Sequence, residues 1–284
     1  MTLDELMIQQ PFKGKFAVVS GGSKGMGKAT TQLFIKLGGS ICIIARDEQI
    51  LRKTLEECVK LRNNESQFIE SIACDATDMD KLKPLLIDMI KKHEVPDYLF
   101  NFVGYAYAQY LEKLTLKDFK RNMDVNYYGQ LIPTLILLPY FMEAKKGYIT
   151  FTSSVLGFMA IMGYATYVPS KYAVFGLAEI LRHELVPYNV KVSVLFPPDT
   201  DTPGFAEENK LKPPECKLIS ESGTLMTAED VAEIFIKDIL EGHFEILPGE
   251  AAIQLKSIRE NPDDIRAVLD RLYKRARRKT GYLK

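Results

Sequence analysis

The sequence alternates short apolar runs with longer segments of helical spacing, and this alternation constrains the fold more than any other feature. Six runs contain many β-branched or aromatic residues, as buried parallel strands do. They cover residues 15–20, 40–45, 68–74, 98–102, 148–153 and 190–196. The segments between them place apolar and polar residues on opposite sides of a helix. The alternation predicts an α/β fold with one doubly wound parallel β-sheet and helices on both faces.

No repeat, low-complexity run or Ser/Gly-rich linker divides this sheet. The 284 residues, of which 46% are apolar and 26% charged, suit one large core. We therefore expect a single Rossmann-type domain over residues 1–284. Residues 197–226 are a proline-rich, charged excursion after the last long strand, where open α/β sheets bind ligands. We expect this excursion, called the flap below, to cover the substrate.

Charge and cysteine usage exclude several classes of function. Lys and Arg together number 37, as do Asp and Glu, so the chain has no charge bias towards nucleic acid. The four cysteines and three histidines are scattered, which indicates a reduced compartment and no metal site. The N-terminus lacks the basic start and apolar run of a secretory signal. The longest uncharged stretches, such as residues 131–142, are too short to span a bilayer.

A glycine-rich loop follows the first strand and leads into a helix. Glycines let the backbone approach a diphosphate, and the helix N-terminus offers free N–H groups to it. The residues expected to contact a dinucleotide there are Gly21, Ser23, Lys24, Gly25, Met26 and Gly27. The alternative is a turn that only connects a strand to a helix.

The end of the second strand selects the form of the cofactor. An acid at this point binds the ribose 2′-OH of NAD, whereas the 2′-phosphate of NADP requires a cation. The strand ends at Arg46, which with Lys24 can clamp a phosphate, so we expect NADP(H). Asp47 is interpreted as the cap of the next helix. Asp75 can contact the adenine amine or cap a turn, and the alternative for Arg46 is an ordinary solvated charge.

Three tyrosines lie close together, at positions 164, 167 and 172, and Tyr167 alone has a lysine four residues later. Positions i and i+4 lie on one face of a helix. Lys171 is therefore expected to lower the pKa of the Tyr167 phenol and make it a proton donor. Tyr164 and Tyr172 are interpreted as packing residues.

These motifs together resemble the short-chain dehydrogenase/reductase family. The matching residues are Gly21, Gly25 and Gly27 in a G-x-x-x-G-x-G pattern, Asn101 and Gly104 in an N-x-x-G turn, Asn126, Ser154, and Tyr167 with Lys171. The resemblance implies hydride transfer from a nicotinamide to a ketone. It also implies further cofactor contacts from Asn101, Gly104, Pro197 and Thr202, and we expect a homodimer or homotetramer.

The resemblance assigns a role to each of four catalytic residues. Tyr167 gives a proton to the substrate oxygen, and Ser154 binds and orients the carbonyl. Lys171 also reaches the nicotinamide ribose, and Asn126 supports a water that relays protons to Lys171.

Within the family, the segment 197–215 and the glycine loop are similar to those of the 3-ketodihydrosphingosine reductases. That branch reduces 3-ketosphinganine to sphinganine with NADPH. One alternative is a reductase of 3-oxoacyl or steroid ketones, and a second is a non-catalytic, cofactor-binding regulatory protein. Because a ketosphinganine is cationic, acids of the flap are expected to attract its ammonium group. The candidates are Asp199, Asp201, Glu207 and Glu208.

Residues 262–284 form a basic C-terminal helix and tail in which cations greatly outnumber acids. The helical spacing of Ile265, Val268, Leu269 and Leu272 predicts an amphipathic segment on an anionic membrane surface. The alternative is a helix packed on the domain with a solvated tail. We expect peripheral association with the cytoplasmic side of the endoplasmic reticulum membrane, or a soluble cytoplasmic protein.

Overall fold

A seven-stranded parallel sheet organises the protein in a computed structural model that describes residues 2–220 and 223–281. The strands in spatial order are β3, β2, β1, β4, β5, β6 and β9. Their bounds are β1 Phe16–Ser20, β2 Ser40–Ala45, β3 Ile69–Ala73, β4 Tyr98–Asn101, β5 Gly147–Thr152, β6 Val190–Leu195 and β9 Glu245–Ile246. Two further short strands, β7 (Thr200–Asp201) and β8 (Met226–Thr227), pair with each other outside this sheet.

Helices cover both faces of the sheet. Their bounds are α1 Leu3–Gln9, α2 Gly25–Lys36, α3 Glu48–Val59, α4 Met79–His93, α5 Leu116–Met123, α6 Gly129–Ala144, α7 Tyr167–Glu184, α8 Pro203–Leu211, α9 Pro214–Ser220, α10 Ala228–Glu241, α11 Ala251–Glu260 and α12 Pro262–Lys279. One core cluster joins the sheet to α4, α6 and α7. The other joins it to α1, α2, α3 and α10.

The architecture confirms the predicted fold class. Each of the six strands predicted from apolar runs is present, with ends that agree to within about one residue. The seventh strand, β9, was not predicted because two residues are too few to form a recognisable run. No helix in the described part of the chain combines the length and apolar character needed to cross a bilayer.

The order of the strands creates a crevice at one edge of the sheet. From β1 the chain moves outward to β2 and β3, and it then returns to β4 on the other side of β1. The loops that follow β1 and β4 therefore diverge at their carboxyl ends, where open α/β sheets bind ligands. The glycine loop and the turn from Asn101 to Gly104 occupy these two positions.

The flap begins at this same edge of the sheet. Its two short strands, β7 and β8, pair with each other, and in the sequence helices α8 and α9 lie between these strands. Helix α8 begins after Thr202, whose hydroxyl accepts a hydrogen bond from Phe205 N, and Pro203 occupies its first turn. Glu221 and Ser222 of the flap lie outside the described residues.

Candidate active site

The glycine loop has the geometry of a diphosphate cradle. Gly21 has a φ of +80°, and a Cβ at this position would lie 2.8 Å from Val103 N. A Cβ on Gly27 would overlap the carbonyl oxygen of Gly21, so the loop closes on the helix only with glycine there. Lys24, the N-cap of α2, makes no side-chain capping bond, so the first N–H groups of this helix remain available to an anion. These features fit a dinucleotide.

Two charged residues meet at the ends of β2 and β3. Arg46 is 71% exposed and lies 3.5 Å from a carboxylate oxygen of Asp75. The other oxygen of Asp75 accepts hydrogen bonds from the backbone and hydroxyl of Thr77. The expected capping role of Asp47 is confirmed, since its side chain accepts from Ile50 N. Arg46 and Lys24 are therefore both solvated cations beside the cradle.

Ser154 and Tyr167 meet at the carboxyl ends of β5 and β6. The Ser154 hydroxyl lies close enough to the Tyr167 phenol to influence its pKa. The neighbouring Ser153 instead donates to the carbonyl of Lys171 and lies in the core. Of the two serines, Ser154 is therefore the one whose hydroxyl lies near the tyrosine.

The pKa of Tyr167 differs from the expectation. Burial and the charges of Glu208 and Asp199 raise it, while the nearby hydroxyl of Ser154 acts in the opposite direction. The prediction that Lys171 lowers this pKa is therefore wrong for this structure. The phenol keeps its proton at neutral pH, but with a raised pKa it is a weaker acid than a phenol of ordinary pKa.

Lys171 is a buried amine beneath the tyrosine. Its Nζ lies 5.5 Å from the centre of the Tyr167 ring and donates to the carbonyl oxygen of Thr152 at 2.9 Å. Burial lowers the pKa of Lys171 to about 7. The ammonium is therefore readily deprotonated near neutral pH, unlike that of an exposed lysine.

Asn126 lies in a π-helical segment, Asp124–Tyr128, between α5 and α6. Such segments are frequent at functional sites because they turn a side chain out of the helical register. The Asn126 amide accepts from Tyr105 N at 2.7 Å and donates to Tyr105 O and to Ser170 Oγ. These bonds fix its orientation. A Cβ built on Gly104 would lie 3.5 Å from Lys171 Nζ and 3.7 Å from Asn126 Oδ1, so Gly104 borders both groups.

Three more predicted contact residues surround the same space. Asn101 is fully buried, and its Oδ1 has no hydrogen-bond partner within the described residues. The carbonyl of Pro197 accepts from Val155 N, next to Ser154. The methyl group of Thr202 lies against Gly25, since a Cβ there would be 3.0 Å away. The sequence motifs thus converge on one crevice.

The flap carries a buried ionic network beside the tyrosine. Tyr164 donates its hydroxyl proton to Glu208, whose carboxylate also lies 3.1 Å from the ammonium of Lys212. The Lys212 side chain has no exposed surface and lies 3.2 Å from Ser220 Oγ, which donates to Asp199. Tyr164 is therefore buried as predicted but has a polar partner. Tyr172, also predicted to pack, is 44% exposed.

The remaining acids and apolar residues of the region have simpler roles. Glu207 is exposed and pairs with Lys210, and Asp201 is exposed. Phe158 is buried in the core against Phe196. Sequence reasoning missed Lys212, because a single lysine at a helix end carries no signal of burial.

The C-terminal helix packs on the flap. Ala276 of α12 is buried, and the Thr280 hydroxyl donates to Glu215 of α9 at 2.6 Å. Tyr110 donates to the other oxygen of Glu215. The alternative of a packed helix is thus observed for this part of the chain. Arg271, Lys274, Arg275, Arg278 and Lys279 remain exposed on its outer side, and Lys284 lies outside the described residues.

Comparisons with known sequences agree with this geometry. The profile of the short chain dehydrogenase family matches residues 15–212. The chain is 39% identical to a 3-dehydrosphinganine reductase of Danio rerio, over 90% of this chain and 78% of that protein. It is 37% identical to a 3-ketodihydrosphingosine reductase of Bos taurus, over 86% of this chain and 74% of that protein.

Solved structures are similar in fold. A short-chain dehydrogenase/reductase from Burkholderia phymatum in complex with NAD has a TM-score of 0.77 and 25% identity, covering 90% of this chain and 95% of that one. A 3-oxoacyl-[acyl-carrier protein] reductase from Brucella melitensis with bound NAD has a TM-score of 0.69 and 25% identity, covering 83% and 88%.

Proposed function

Because the chain belongs to the short-chain dehydrogenase/reductase family, we propose that it reduces 3-ketosphinganine to sphinganine with NADPH, a step of sphingolipid biosynthesis. The observation that supports this substrate assignment is the extent of the sequence similarity to the Danio rerio reductase. A match that covers 90% of the chain includes the flap, whereas the family profile ends at residue 212. The similarity therefore extends to the segment that distinguishes substrates in our interpretation of the sequence.

The residues support a mechanism in which the protein supplies the proton. A bound nicotinamide cofactor supplies the hydride. Ser154 orients the substrate carbonyl, and Tyr167 donates a proton to the oxygen as negative charge develops there. Asn126, held by the backbone of Tyr105, supports a water that returns a proton through Lys171. Gly21, Ser23, Lys24, Gly25, Met26, Gly27, Asn101, Gly104, Pro197 and Thr202 would hold the cofactor.

A substrate assay tests the proposed function. Purified protein is incubated with NADPH and, separately, with 3-ketosphinganine, a 3-oxoacyl thioester and a steroid ketone, and the loss of reduced nicotinamide is followed. We expect the highest kcat/KM for 3-ketosphinganine. Faster reduction of the thioester would favour the activity named for the Brucella melitensis neighbour. No turnover of any ketone would favour the regulatory alternative.

We propose NADP(H) rather than NAD(H), supported by Arg46 and Lys24 beside the cradle. Replacing Arg46 by alanine removes a charge-assisted contact with the 2′-phosphate, so the preference for NADPH over NADH should fall by at least about tenfold. The measurement is the ratio of kcat/KM for the two cofactors. Arg52→Ala, at an exposed arginine of α3, is the control and should leave the ratio unchanged. Equal preference in the unmutated protein would contradict the assignment.

We also propose peripheral contact with the endoplasmic reticulum membrane through the outer side of α12. The support is the set of exposed cations there, since each basic residue near an anionic surface contributes about 1 kcal/mol. Changing Lys274, Arg275 and Arg278 to glutamate should abolish sedimentation with anionic liposomes at low salt. The matched control reverses the exposed Lys81, Lys83 and Lys91 of α4. Equal sedimentation of the unmutated protein, the α12 variant and the α4 control would show that α12 has no membrane role.

A homodimer or homotetramer is proposed as the assembly. The support is a set of exposed apolar side chains on α6 and α7, namely Leu135, Tyr172 and Ile180, each between 44% and 51% exposed.

A further inference from the structure

Glu208 is held next to the proposed proton donor by two contacts on one oxygen. Its Oε1 accepts the hydroxyl proton of Tyr164, and the same oxygen lies 3.1 Å from Lys212 Nζ. The Glu208 side chain is only 12% exposed, and that of Lys212 is fully buried. A carboxylate with these two partners has a fixed position in the flap.

The second oxygen of Glu208 remains available. Within residues 2–220 and 223–281, no hydrogen bond to Glu208 Oε2 is formed. A carboxylate oxygen has two acceptor sites and is the natural partner of an ammonium group. The flap therefore presents a fixed anionic acceptor with unused capacity.

The acceptor lies close to the reacting carbonyl. The rings of Tyr164 and Tyr167 have centroids 6.0 Å apart, and Tyr164 holds Glu208. The Glu208 charge is near enough to raise the pKa of the Tyr167 phenol. In a 2-amino-3-ketone the amine is on the carbon next to the carbonyl. When Tyr167 holds the carbonyl oxygen, the ammonium group is only a few bonds from that contact.

The charge balance of the network leaves room for one cation. Glu208 and Asp199 carry two negative charges, and Lys212 supplies one positive charge. The difference is one negative charge. The ammonium group of Lys212 already contacts Ser220 Oγ and the ring of Phe205, whose centroid lies 4.6 Å from Lys212 Nζ. Lys212 therefore has no second positive charge to offer the two carboxylates. The charge of one bound ammonium would complete the pairing.

We propose that the Glu208 carboxylate binds the ammonium group of the substrate through Oε2 and so selects an amino ketone over a neutral one. Tyr164 and Lys212 are positioning residues that hold Oε1. This inference rests on the proposed reduction of 3-ketosphinganine. Of the four acids expected from the sequence, Asp201 and Glu207 are exposed, which leaves Asp199 and Glu208. Glu208 is chosen because Tyr164, whose ring lies beside that of Tyr167, holds its carboxylate.

A glutamine at position 208 tests the inference. Glu208→Gln removes the charge, keeps the size of the side chain and can still accept from Tyr164. We expect kcat/KM for 3-ketosphinganine to fall by about tenfold or more, the scale of one hydrogen bond to a charged group. For the same chain with a 3-ketone and no amine, kcat/KM should change by less than about twofold, as should NADPH binding.

The control is the adjacent residue of the same helix. Glu207→Gln removes the same charge from α8, but Glu207 is exposed and pairs with Lys210. For this variant, kcat/KM for each of the two ketones should equal that of the unmutated protein. A substrate comparison needs no variant: the unmutated protein should prefer the amino ketone by a factor similar to that lost in Glu208→Gln.

The outcomes separate this inference from the proposed function. If the unmutated protein does not reduce 3-ketosphinganine, the proposed function is wrong. If it reduces the amine-free ketone as well as 3-ketosphinganine, the proposed function stands and the selection of an amino ketone is refuted. If it prefers 3-ketosphinganine and Glu208→Gln retains the full preference, the proposed function stands and the role of Glu208 is refuted. An equal loss on both ketones would show that Glu208 only maintains the flap, and would also refute the role.

Discussion

Replacing Tyr167 by phenylalanine is expected to lower kcat by at least about a hundredfold while NADPH binding changes little. The substitution removes the hydroxyl that donates the proton and keeps the ring, and loss of a general acid has this scale. The Ser154 hydroxyl, which orients the carbonyl in the proposed mechanism, is retained. The measurements are steady-state kcat with 3-ketosphinganine and NADPH affinity from cofactor fluorescence.

Tyr172→Phe is the matched control for this result. Tyr172 lies on the same helix, α7, and is 44% exposed, so its hydroxyl should be dispensable. Tyr164 is a poorer control, because its hydroxyl holds Glu208. Full activity in Tyr167→Phe together with a collapse in Tyr172→Phe would overturn the assignment of the proton donor.

Replacing Lys171 by methionine should abolish turnover and stabilise the protein. Loss of the cation beneath Tyr167 is expected to reduce kcat at least about a hundredfold, the scale for one preorganised electrostatic group. The carbonyl of Thr152 loses one donor but still accepts from Gln130 Nε2 at 2.9 Å, so no buried acceptor is left unpaired. The apolar side chain also avoids the cost of burying a charge.

The gain in stability should depend on pH with a defined sign. Burial lowers the pKa of Lys171 from 10.5 to about 7. Between these values the unfolded chain binds a proton that the folded chain does not, so the stability contributed by this residue rises with pH. The loss of unfolding free energy caused by burying the Lys171 ammonium is complete below about pH 7 and absent near pH 10.5. Lys171→Met should therefore raise Tm by roughly 2 °C or more at about pH 6, and hardly at all at about pH 10.

Thermal unfolding of both proteins at the two pH values measures this difference. Lys83→Met, at an exposed lysine of α4, should show no pH-dependent gain. A gain in Tm for Lys171→Met that is larger at high pH would contradict the direction of the shift.

The sheet was largely predictable because its strands are continuous apolar runs. A continuous apolar run such as residues 40–45 indicates a strand buried on both faces, and the structure has a strand with those same bounds. β9 and the pair β7 and β8 were not predictable, since strands of two residues depend on neighbours that only the fold supplies. The π-helical segment around Asn126 likewise has no local signature.

The site was predictable where residues have fixed spacing. The i and i+4 relation of Tyr167 and Lys171 and the glycine loop follow from local geometry. The direction of the Tyr167 pKa shift depends instead on burial of the phenol and on carboxylates more than thirty positions away in the flap, and no sequence pattern predicts either of these. The burial of Lys212 depends in the same way on how α8 packs on Tyr164.

The docking of α12 on α9 has a consequence for the order in which the protein matures on the ribosome. The cradle and the proposed catalytic residues are complete once synthesis has passed β6 and the start of the flap. Glu215 acquires its partner Thr280 only after a further 65 residues have been synthesised. During synthesis the nascent protein therefore passes through a stage in which all residues of the cradle are present while α9 still lacks its contact with α12.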